Sequence, residues 1–472
     1  MVTADEMFRQ AGEAAREFLR FDQEATDRIT RAVYLAAMDH RVRLAKMAVE
    51  ETGLGIWQDK VVKNVIASQL VYEHIKRQRT VGIISEDSFT GIIEMARPIG
   101  PILALVPVIN PTSTVFFKIL IAMKSRNPLI VCAPWLAKGC VFEAARVCHE
   151  AARAAGAPEH CVQWTAKPSL EKTKELMSHA GVSLILATGT GELVKACYSS
   201  GTPTIGVGAG NVPVYIGVSA DIPFAVRNIM TSKTFDNGSV CASEQAVVVK
   251  EVIAKTVVEE FERQGAHFLD AEGIERVARI AYDRERGTMT AAVVGQPVSR
   301  IAEMAGLRVP AGTRLLMGRL EGVSRNHPLS AEILAPILAL FVEKDFEASI
   351  RRCAEVARFG GAGHTAVIYS NNPERIQYFA ETIDVARILV NTPSTHGALG
   401  GMYNTLPPSF TLSCGSGGKN STTDNISVRN LLNIHRICRR RENQRWRNVD
   451  LAKYLDETID GEAIEREFYK NT

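Results

Sequence analysis

The stretch Val182-Ser-Leu-Ile-Leu-Ala-Thr-Gly-Thr-Gly-Glu192 joins an apolar strand to a glycine turn and then to the start of a helix. A largely apolar strand of this kind is typical of a parallel sheet whose two faces are both covered. Backbone N–H groups at the start of the helix can bind phosphate, and the two glycines let a ligand come close. Because the spacing is not GxGxxG, the turn alone leaves a cofactor site and a structural turn both open.

The same alternation of apolar strands and amphipathic helices continues on both sides of this stretch. Predicted strands lie at 102–106, 129–132, 161–164, 182–186, 214–216 and 246–249, with helices at about 112–125, 138–155, 169–180, 191–199 and 221–233. Such a row of strand-helix units predicts a parallel, doubly wound α/β domain that binds a nucleotide. Residues 5–80 have helical spacing and are expected to pack on this sheet.

A second alternation begins after residue 241 and predicts a second α/β domain. Its predicted strands are 291–294, 315–317, 337–342, 366–369 and 387–390, and its helices are 251–264, 345–358 and 373–383. We therefore expect a cofactor domain at 1–235, a catalytic domain at 236–427 and a C-terminal arm or tail at 428–472. Clefts between domains are common ligand sites, and residue 241 lies at the junction.

Cys241 is the cysteine best placed to react with a substrate. It follows Asn237-Gly-Ser239 and precedes an apolar strand, so a turn can expose the thiol and offer backbone N–H groups. The other eight cysteines lie in apolar runs or on helix faces, where burial explains them. Position alone leaves a structural and a nucleophilic Cys241 equally open. The odd cysteine count argues against a disulfide framework, and the lack of CxxC or Cys/His clusters predicts no metal site.

Two further glycine segments contain candidate site residues. Gly206-Val-Gly-Ala-Gly-Asn211 either admits a flat ligand or forms a tight turn. Phe359-Gly-Gly-Ala-Gly-His364 places His364 before a strand; a lone histidine is commonly structural, although it can also serve as a base for a thiol. The glycine-rich loop 413–423 is not a phosphate loop, because Asn420 follows Lys419 where that motif has Ser or Thr.

Composition excludes several classes of protein. With 472 residues, 46% hydrophobic and 23% charged, the chain is globular, and its net charge of +3 provides no field that would recruit nucleic acid or membranes. The N-terminus lacks a signal-peptide pattern and no window holds 18 continuous apolar residues, so we expect a cytoplasmic protein. Six arginines surround Trp446 within 436–447; a solvated helix or a subunit-contacting arm explains them, and RNA contact is the alternative.

Taken together, these segments resemble the CoA-acylating aldehyde dehydrogenases, above all the N-terminal half of bifunctional aldehyde-alcohol dehydrogenases. The segments that carry the resemblance are Ile109-Asn-Pro-Thr-Ser-Thr114, Leu184-Ile-Leu-Ala-Thr-Gly189, Gly206-Val-Gly-Ala-Gly-Asn-Val-Pro213, Ser232-Lys-Thr-Phe-Asp-Asn-Gly238, Cys241-Ala-Ser-Glu-Gln245, Gly363-His-Thr365, Arg387-Ile-Leu-Val-Asn-Thr-Pro393, Leu412-Ser-Cys-Gly-Ser-Gly417 and Asn425-Ile-Ser427. The resemblance implies the aldehyde dehydrogenase fold: a Rossmann-like doubly wound cofactor domain, a second α/β catalytic domain and a small oligomerisation arm.

The resemblance also implies roles for individual residues. Cys241 would be the nucleophile, Asn110 the side-chain donor to the oxyanion, and His364 a histidine close to the thiol that can assist deprotonation. The positions implied for cofactor binding are Glu332 at the nicotinamide ribose, Thr188, Gly189, Thr190 and Gly191 at the phosphates, Pro134 at the adenosine end, and Gly206 and Gly208.

The implied reaction converts an aldehyde, CoA and NAD(P)+ reversibly to acyl-CoA and NAD(P)H through a thioester on Cys241. Acetaldehyde and propionaldehyde are the expected substrates, and sulfoacetaldehyde is a further option. NAD and NADP both stay open, because residues 133–138 have no clear ribose-binding carboxylate, whereas Lys138 or Arg126 would tolerate a 2′-phosphate. Hydrolytic aldehyde dehydrogenases carry a Glu where Gly206 stands, so CoA is expected to replace water; a hydrolytic enzyme is the alternative.

The chain ends at residue 472 without the iron-dependent alcohol dehydrogenase domain of the bifunctional proteins, so we expect the aldehyde step alone. A homodimer or homotetramer is expected, formed through a β-hairpin near 90–100 and the tail beyond about 428. The expected partners are thus a small aldehyde and CoA, with no nucleic acid and no membrane. The rival from another class is an RNA-binding protein that uses 436–447, which would show salt-dependent binding without turnover.

Overall fold

The computed structural model describes residues 3–165 and 168–470. The strands are β1 Gly82–Asp87, β2 Ile92–Pro98, β3 Ile102–Leu105, β4 Leu129–Cys132, β5 Val162–Trp164, β6 Leu184–Thr188, β7 Thr204–Val207, β8 Val212–Ile216, β9 Glu244–Lys250, β10 Ala266–Leu269, β11 Tyr282–Asp283, β12 Thr288–Met289, β13 Leu315–Arg319, β14 Ile337–Glu343, β15 Gly363–Tyr369, β16 Val385–Val390 and β17 Leu432–Cys438.

The α-helices are α1 Ala4–Phe18, α2 Gln23–Asp39, α3 Arg41–Thr52, α4 Trp57–Val65, α5 Val71–Ile75, α6 Pro111–Lys124, α7 Lys138–Ala154, α8 Leu170–Met177, α9 Gly191–Tyr198, α10 Ile222–Thr234, α11 Glu251–Arg263, α12 Ala271–Ala281, α13 Val298–Met304, α14 Phe346–Arg358, α15 Pro373–Thr382, α16 Ser394–Leu399, α17 Gln444–Arg447, α18 Leu451–Tyr454 and α19 Gly461–Lys470. A π-helical turn, Ile66–Leu70, joins α4 to α5. Across the described residues, we find no helix with the length and apolarity needed to cross a membrane.

The first domain is built on a parallel five-stranded sheet with the order β5-β4-β3-β6-β7. The strand order reverses between β3 and β6, which is the point where doubly wound sheets bind ligands at their carboxyl edge. Alternate residues of β3 point to opposite faces. Ile102 and Ala104 join the core that contains α2, α6 and α7, whereas Leu103 and Leu105 join the core that contains α1 and α9. The predicted doubly wound domain is therefore confirmed.

Helix α6 is central to this domain, because all of its residues are buried. Pro111 occupies the first helical position, where its fixed φ favours helix and its missing N–H costs nothing. Large apolar side chains such as Phe116 and Ile119 then bury fully, and each contributes about 2 kcal/mol of hydrophobic stabilisation. The rigid helix fixes the residue before it, Asn110, at the carboxyl edge of the sheet.

The second domain is built on a seven-stranded parallel sheet with the order β10-β13-β14-β9-β8-β15-β16. Strand β8 belongs to this sheet, although the sequence placed it inside the 1–235 cofactor domain. It pairs with β9 on one side and β15 on the other. We therefore propose that the domain boundary lies between β7 and β8, near residues 208–211, instead of at 235.

A three-stranded antiparallel sheet forms the arm. The hairpin β1–β2 supplies two strands, and β17 pairs along the whole of β2. The predicted pieces, a hairpin near 90–100 and the tail beyond about 428, thus meet in one sheet, with the hairpin beginning earlier, at Gly82. Its role in oligomerisation remains a proposal.

Two local predictions were wrong. Residues 291–294 form turns instead of a strand, because Val293 and Val294 are buried without strand pairing in the described residues, and Val293 joins the core of the second domain. Strand β7 was missed, because the glycines at 206–210 resemble a loop, although Thr204–Val207 pairs with β6. The segment is therefore half strand and half turn.

Candidate active site

The candidate site lies where the carboxyl edge of the five-stranded sheet faces the amino edge of the seven-stranded sheet. Asn110, Thr188 and Gly208 follow β3, β6 and β7, whereas Cys241, Glu332 and His364 lie at or before the starts of β9, β14 and β15. The short link from β7 to β8 passes between the two sets. Gly210 marks this crossing, because a Cβ there would be 2.5 Å from the Cys241 carbonyl oxygen and 2.8 Å from Cγ of His364. The structure thus brings Cys241 and His364 together.

A left-handed turn precedes Cys241. Asp236, Asn237 and Gly238 have φ values of 50°, 52° and 72°. Aspartate and asparagine tolerate this region better than other side chains, and glycine adopts it freely. At Gly238 glycine is required, because a Cβ would lie 2.7 Å from the Ala335 carbonyl oxygen. The turn therefore depends on Asp236-Asn-Gly238, which is part of a segment that carries the family resemblance.

Exposure separates Cys241 from the other cysteines. Seven of them are buried, Cys241 is half-buried, and Cys438 is exposed at the end of β17. Burial therefore does not explain Cys438, which corrects the prediction for that residue. Of the two accessible thiols, only Cys241 lies at the meeting of the two sheets.

The surroundings of Cys241 favour the protonated form of its thiol. Burial raises its pKa to about 12, the negative charge of Glu332 adds to the rise, and Arg387 opposes it. Thiolate is the reactive form. The reactivity of Cys241 is therefore expected to depend on pH and on the neighbouring carboxylate.

Alkylation of Cys241 by iodoacetamide is expected to accelerate about tenfold per pH unit between pH 7 and 9, because a raised pKa leaves thiolate a small fraction that grows with pH. Glu332→Gln removes the negative charge and should lower the Cys241 pKa, so alkylation at pH 8 should become faster. Loss of free thiol, followed by mass spectrometry of the Cys241 peptide, measures both rates. A plateau below pH 8 in the unchanged enzyme would contradict the raised pKa.

Asn110 is the residue immediately before α6 and is 7% exposed. Its Oδ1 accepts a hydrogen bond from Nζ of Lys63 at 2.7 Å. Burial lowers the pKa of Lys63 to about 8, and the carboxylate of Asp236 opposes this fall. A protonated lysine can only donate, so below this pH the amide oxygen must face Lys63 and the amide nitrogen must face away. This orientation leaves a side-chain N–H donor available beside the site, as an oxyanion donor requires.

Glu332 lies against the same link as His364. Its Oε1 accepts a hydrogen bond from the Gly210 N–H at 2.9 Å. Burial raises its pKa to about 7, although this hydrogen bond and the nearby Lys233 both favour the charged form. Lys233 donates to Oε1 of Gln245 and to the Ile333 carbonyl, which fixes the Glu332 segment against β9. The carboxylate is therefore held in place near the thiol.

His364 is fully buried and neutral. Burial holds its pKa well below the usual value, and the positive charge of Arg387 lowers it further. Nδ1 lies 2.9 Å from Oγ1 of Thr365. Within residues 3–165 and 168–470, Nε2 has no hydrogen-bond partner. A neutral imidazole with one nitrogen unused can accept a proton from a thiol, although a low pKa makes it a weak base.

The predicted phosphate residues surround the start of α9. Thr190 caps this helix by accepting a hydrogen bond from the Leu193 N–H at 3.4 Å. Around Gly191 a Cβ would meet nothing within 4 Å, and a Cβ on Gly208 would lie 3.8 Å from the Gly191 Cα. The two glycine segments therefore border one open space at a helix N-terminus, which suits a phosphate. Thr188 and Gly189 immediately precede this helix N-terminus, and Thr188 contacts Thr411.

Gly206 does not face the thiol, which corrects its predicted place as the position of a hydrolytic base. A Cβ there would lie 2.8 Å from Cγ1 of Val194 and 3.1 Å from Cε2 of Tyr198, both on α9. The Gly206 N–H donates to the Tyr198 hydroxyl, and its carbonyl accepts from Ser413. A glutamate at 206 would collide with α9. Gly206 therefore acts in packing, and we expect cofactor contact from Gly208 instead.

Pro134 follows β4 at the carboxyl edge, as the adenosine end requires. Close to it, Nζ of Lys138 lies 3.6 Å from the ring centre of the exposed Trp135. Arg126 is 4% exposed and donates to the carbonyls of Phe21 and Thr80. Arg126 is therefore not free to bind a 2′-phosphate, and Lys138 is the remaining candidate.

Sequence reasoning missed four charged residues of the site: Lys60, Lys63, Asp236 and Arg387. Arg387 donates to the Leu412, Ser413 and Thr423 carbonyls and so holds the glycine-rich loop 413–423. Lys60 and Lys63 have no sequence signal that distinguishes them from surface charges, because their partners are distant in the chain. Asp236 and Arg387 lie in segments of the family resemblance, which gave these two residues no role. Among the described residues, no cluster of three His, Cys, Asp or Glu side chains could hold a metal ion.

Comparisons with known proteins show the family of the chain. Residues 2–271 match the model of the aldehyde dehydrogenase family. The bifunctional aldehyde-alcohol dehydrogenase of Escherichia coli is 44% identical over 94% of this chain, which spans 50% of that protein. Succinate-semialdehyde dehydrogenase (acetylating) of Clostridium kluyveri is 34% identical over 92% of this chain and 95% of its own length.

Solved structures give the same result. The crystal structure of an acetylating aldehyde dehydrogenase from Geobacillus thermoglucosidasius has a TM-score of 0.91 and 41% identity, and the match covers 93% of this chain and 97% of that one. A second structure, a probable aldehyde dehydrogenase from Listeria monocytogenes, matches with the same TM-score and 42% identity. The fold of the chain is therefore the one that the sequence predicted.

Proposed function

Because the chain belongs to the aldehyde dehydrogenase family, we propose that it is an acylating member, which transfers the acyl group of a short aldehyde from Cys241 to CoA. The observation that carries this proposal is the link from β7 to β8. Residues 204–213 contain no carboxylate, although this link runs past the Cys241 carbonyl. The link therefore has no carboxylate, at any of its positions, that could act as the base for water. Relatives named as acetylating support the same conclusion.

In the first step the Cys241 thiol would lose its proton, and the resulting thiolate would form a bond to the aldehyde carbon as the π bond of the carbonyl group opens. The carbonyl oxygen then carries negative charge, and the Asn110 amide and the Cys241 backbone N–H are the donors that would stabilise it. A nicotinamide cofactor, NAD or NADP, accepts the hydride of this carbon when bound. Thr188 to Gly191 and Gly208 would hold its phosphates and Glu332 its ribose, while Pro134 and Lys138 border the adenosine end.

The second step would break the thioester on Cys241. A CoA thiolate forms a bond to the acyl carbon, and the Cys241 thiolate leaves. The neutral His364 would accept the proton of the CoA thiol, because its Nε2 is not engaged by the described part of the chain. The same groups serve the reverse direction, from acyl-CoA to aldehyde.

Product analysis tests the proposal. With acetaldehyde or propionaldehyde and NAD+ or NADP+, the enzyme is expected to form acyl-CoA as the main product and free acid at least about tenfold more slowly, because no carboxylate of the link activates water. Liquid chromatography of both products, with and without CoA, measures the ratio. Acid formation at the same rate without CoA would instead establish a hydrolytic aldehyde dehydrogenase. Gly206→Glu should disrupt the packing of β7 against α9 and leave the ratio of acyl-CoA to free acid unchanged.

A further inference from the structure

A buried cluster of charges lies behind the two residues that the proposed reaction uses. Lys63 of α4 has a side chain that is 1% exposed, and it forms an ion pair with the fully buried Asp236. Lys60, one turn earlier on the same helix, shares this carboxylate at 2.9 Å. Buried charges are expensive unless they are paired and hydrogen-bonded. A cluster of two ammonium groups on one carboxylate therefore needs the further acceptors around it.

These acceptors come from the segment that carries Asn110. Lys63 donates to Asn110 Oδ1 at 2.7 Å, and Lys60 donates to the Ile109 carbonyl at 3.0 Å. The two lysines thus hold the backbone of one residue and the side chain of the next.

The cluster also holds the turn that leads to Cys241. Asp236 is the first of the three left-handed residues, its N–H donates to Asp59, and its carboxylate accepts from the Ile56 N–H at 2.7 Å. Lys63 also donates to the Ser239 carbonyl at 3.0 Å, two residues before the thiol. One ammonium group therefore contacts both the Asn110 side chain and the Cys241 turn.

A primary amide can rotate by half a turn and exchange its oxygen and nitrogen. Beside a surface this exchange costs little. Beside Lys63, the exchanged form would place the amide N–H₂ against a buried ammonium, with donor facing donor. Only the form with Oδ1 toward Lys63 makes a hydrogen bond, and it leaves Nδ2 without a protein acceptor in the described ranges.

We propose that Lys63 is a positioning residue, which locks the Asn110 amide with its nitrogen directed to the oxyanion formed at Cys241. This inference rests on the proposed function, because the oxyanion exists only if Cys241 attacks a carbonyl. Asp236 and Lys60 complete the device by holding Lys63 and the Asn110 backbone. The lock is formed before substrate arrives, so no reorientation accompanies the reaction.

Lys63→Met tests the proposal, since methionine replaces the aliphatic part of the lysine side chain, one atom shorter, and removes its donor. We expect kcat and kcat/KM to fall together by roughly 10- to 100-fold, because the donor is lost in the transition state and not in substrate binding. Lys63→Arg should recover part of the loss. Lys124→Met is the control for loss of a buried lysine, because Lys124 pairs with Asp27 on α2, away from the site; it should lower thermal stability without changing kcat.

Two further measurements separate positioning from general damage. In the Asn110→Ala background, Lys63→Met should cost less than about twofold, because the residue it positions is already absent. Alkylation of Cys241 in Lys63→Met should proceed at the rate of the unchanged enzyme, because Lys63 is not among the groups that shift the Cys241 pKa. Equal losses in both backgrounds, or slowed alkylation, would overturn the proposal. Failure of the proposed function would show differently, as turnover in Cys241→Ala.

Discussion

Replacing Cys241 with alanine is expected to abolish CoA-dependent aldehyde oxidation, with a loss of about 10⁵-fold or more, as for other enzymes that lose their nucleophile. Alanine removes the sulfur that would bind the aldehyde carbon and leaves the left-handed turn intact. The phosphate and ribose positions do not involve the thiol, so nicotinamide binding should persist. Reduction of NAD+ or NADP+ measures turnover, and quenching of tryptophan fluorescence measures binding.

Cys438→Ala is the matched control, because Cys438 is accessible but lies on the arm. It should retain full activity and should leave Cys241 as the site of inactivation by iodoacetamide. Residual turnover above about 1% in Cys241→Ala, with the same substrates, would remove Cys241 from the proposed mechanism, since the loss expected for a nucleophile is far larger.

Asn110→Asp is expected to lower kcat by roughly 100- to 1,000-fold, or about 3 to 4 kcal/mol, the cost of removing one oxyanion donor. Aspartate has the shape of asparagine, and its carboxylate can still accept from Lys63. It has no N–H to donate, and its charge opposes the oxyanion. The fold and the lysine contact are thus kept while the donor is lost.

Asn110→Ala should give a similar loss of kcat, because it also lacks the donor but adds no charge. Both variants should bind the aldehyde and the cofactor with little change, since the lost interaction belongs to the transition state. Steady-state kinetics combined with thermal unfolding measures the two effects separately. If Asn110→Asp kept more than about a tenth of kcat, the backbone N–H alone would account for oxyanion stabilisation.

The sequence predicted most strands of the two parallel sheets, because these strands are short apolar runs bounded by glycine and polar residues. Strands β3, β4, β14 and β16 fall close to the predicted positions, since a strand buried on both faces forms a nearly continuous apolar run. Cys241 could be proposed as a nucleophile because Asn237-Gly-Ser239 precedes it and segments of the family resemblance surround it, whereas its position alone left a structural role equally open.

The cluster behind Asn110 could not be predicted in this way. Residues 57–65 contain two lysines and an aspartate and are typical of a helix at the surface. Lys63 is buried against Asp236, which lies 173 positions further along the chain. Pairing across such a distance leaves no local pattern, so sequence spacing could not indicate it.

The prediction that Gly206 occupies the position of a hydrolytic base was wrong for a different reason. Successive residues of a strand point to opposite faces, so an error of one residue in an alignment reverses the direction of a side chain. Gly206 points to α9, whereas the next residue, Val207, joins the core that contains α6. The lack of a hydrolytic base is therefore a property of the whole link, residues 204–213, and not of position 206 alone.

The arm sheet pairs strand β2 with strand β17, which lies much later in the sequence. β17 pairs with β2, and contacts such as that of Asn433 with Pro98 join residues 335 positions apart. During synthesis β2 therefore emerges long before its partner and presents an unpaired edge, which can pair with other chains. The ribosome must add about 335 residues after Pro98 before this edge is covered. Completion of the arm is thus a late folding event, and nascent or prematurely terminated chains carry the greatest risk of aggregation.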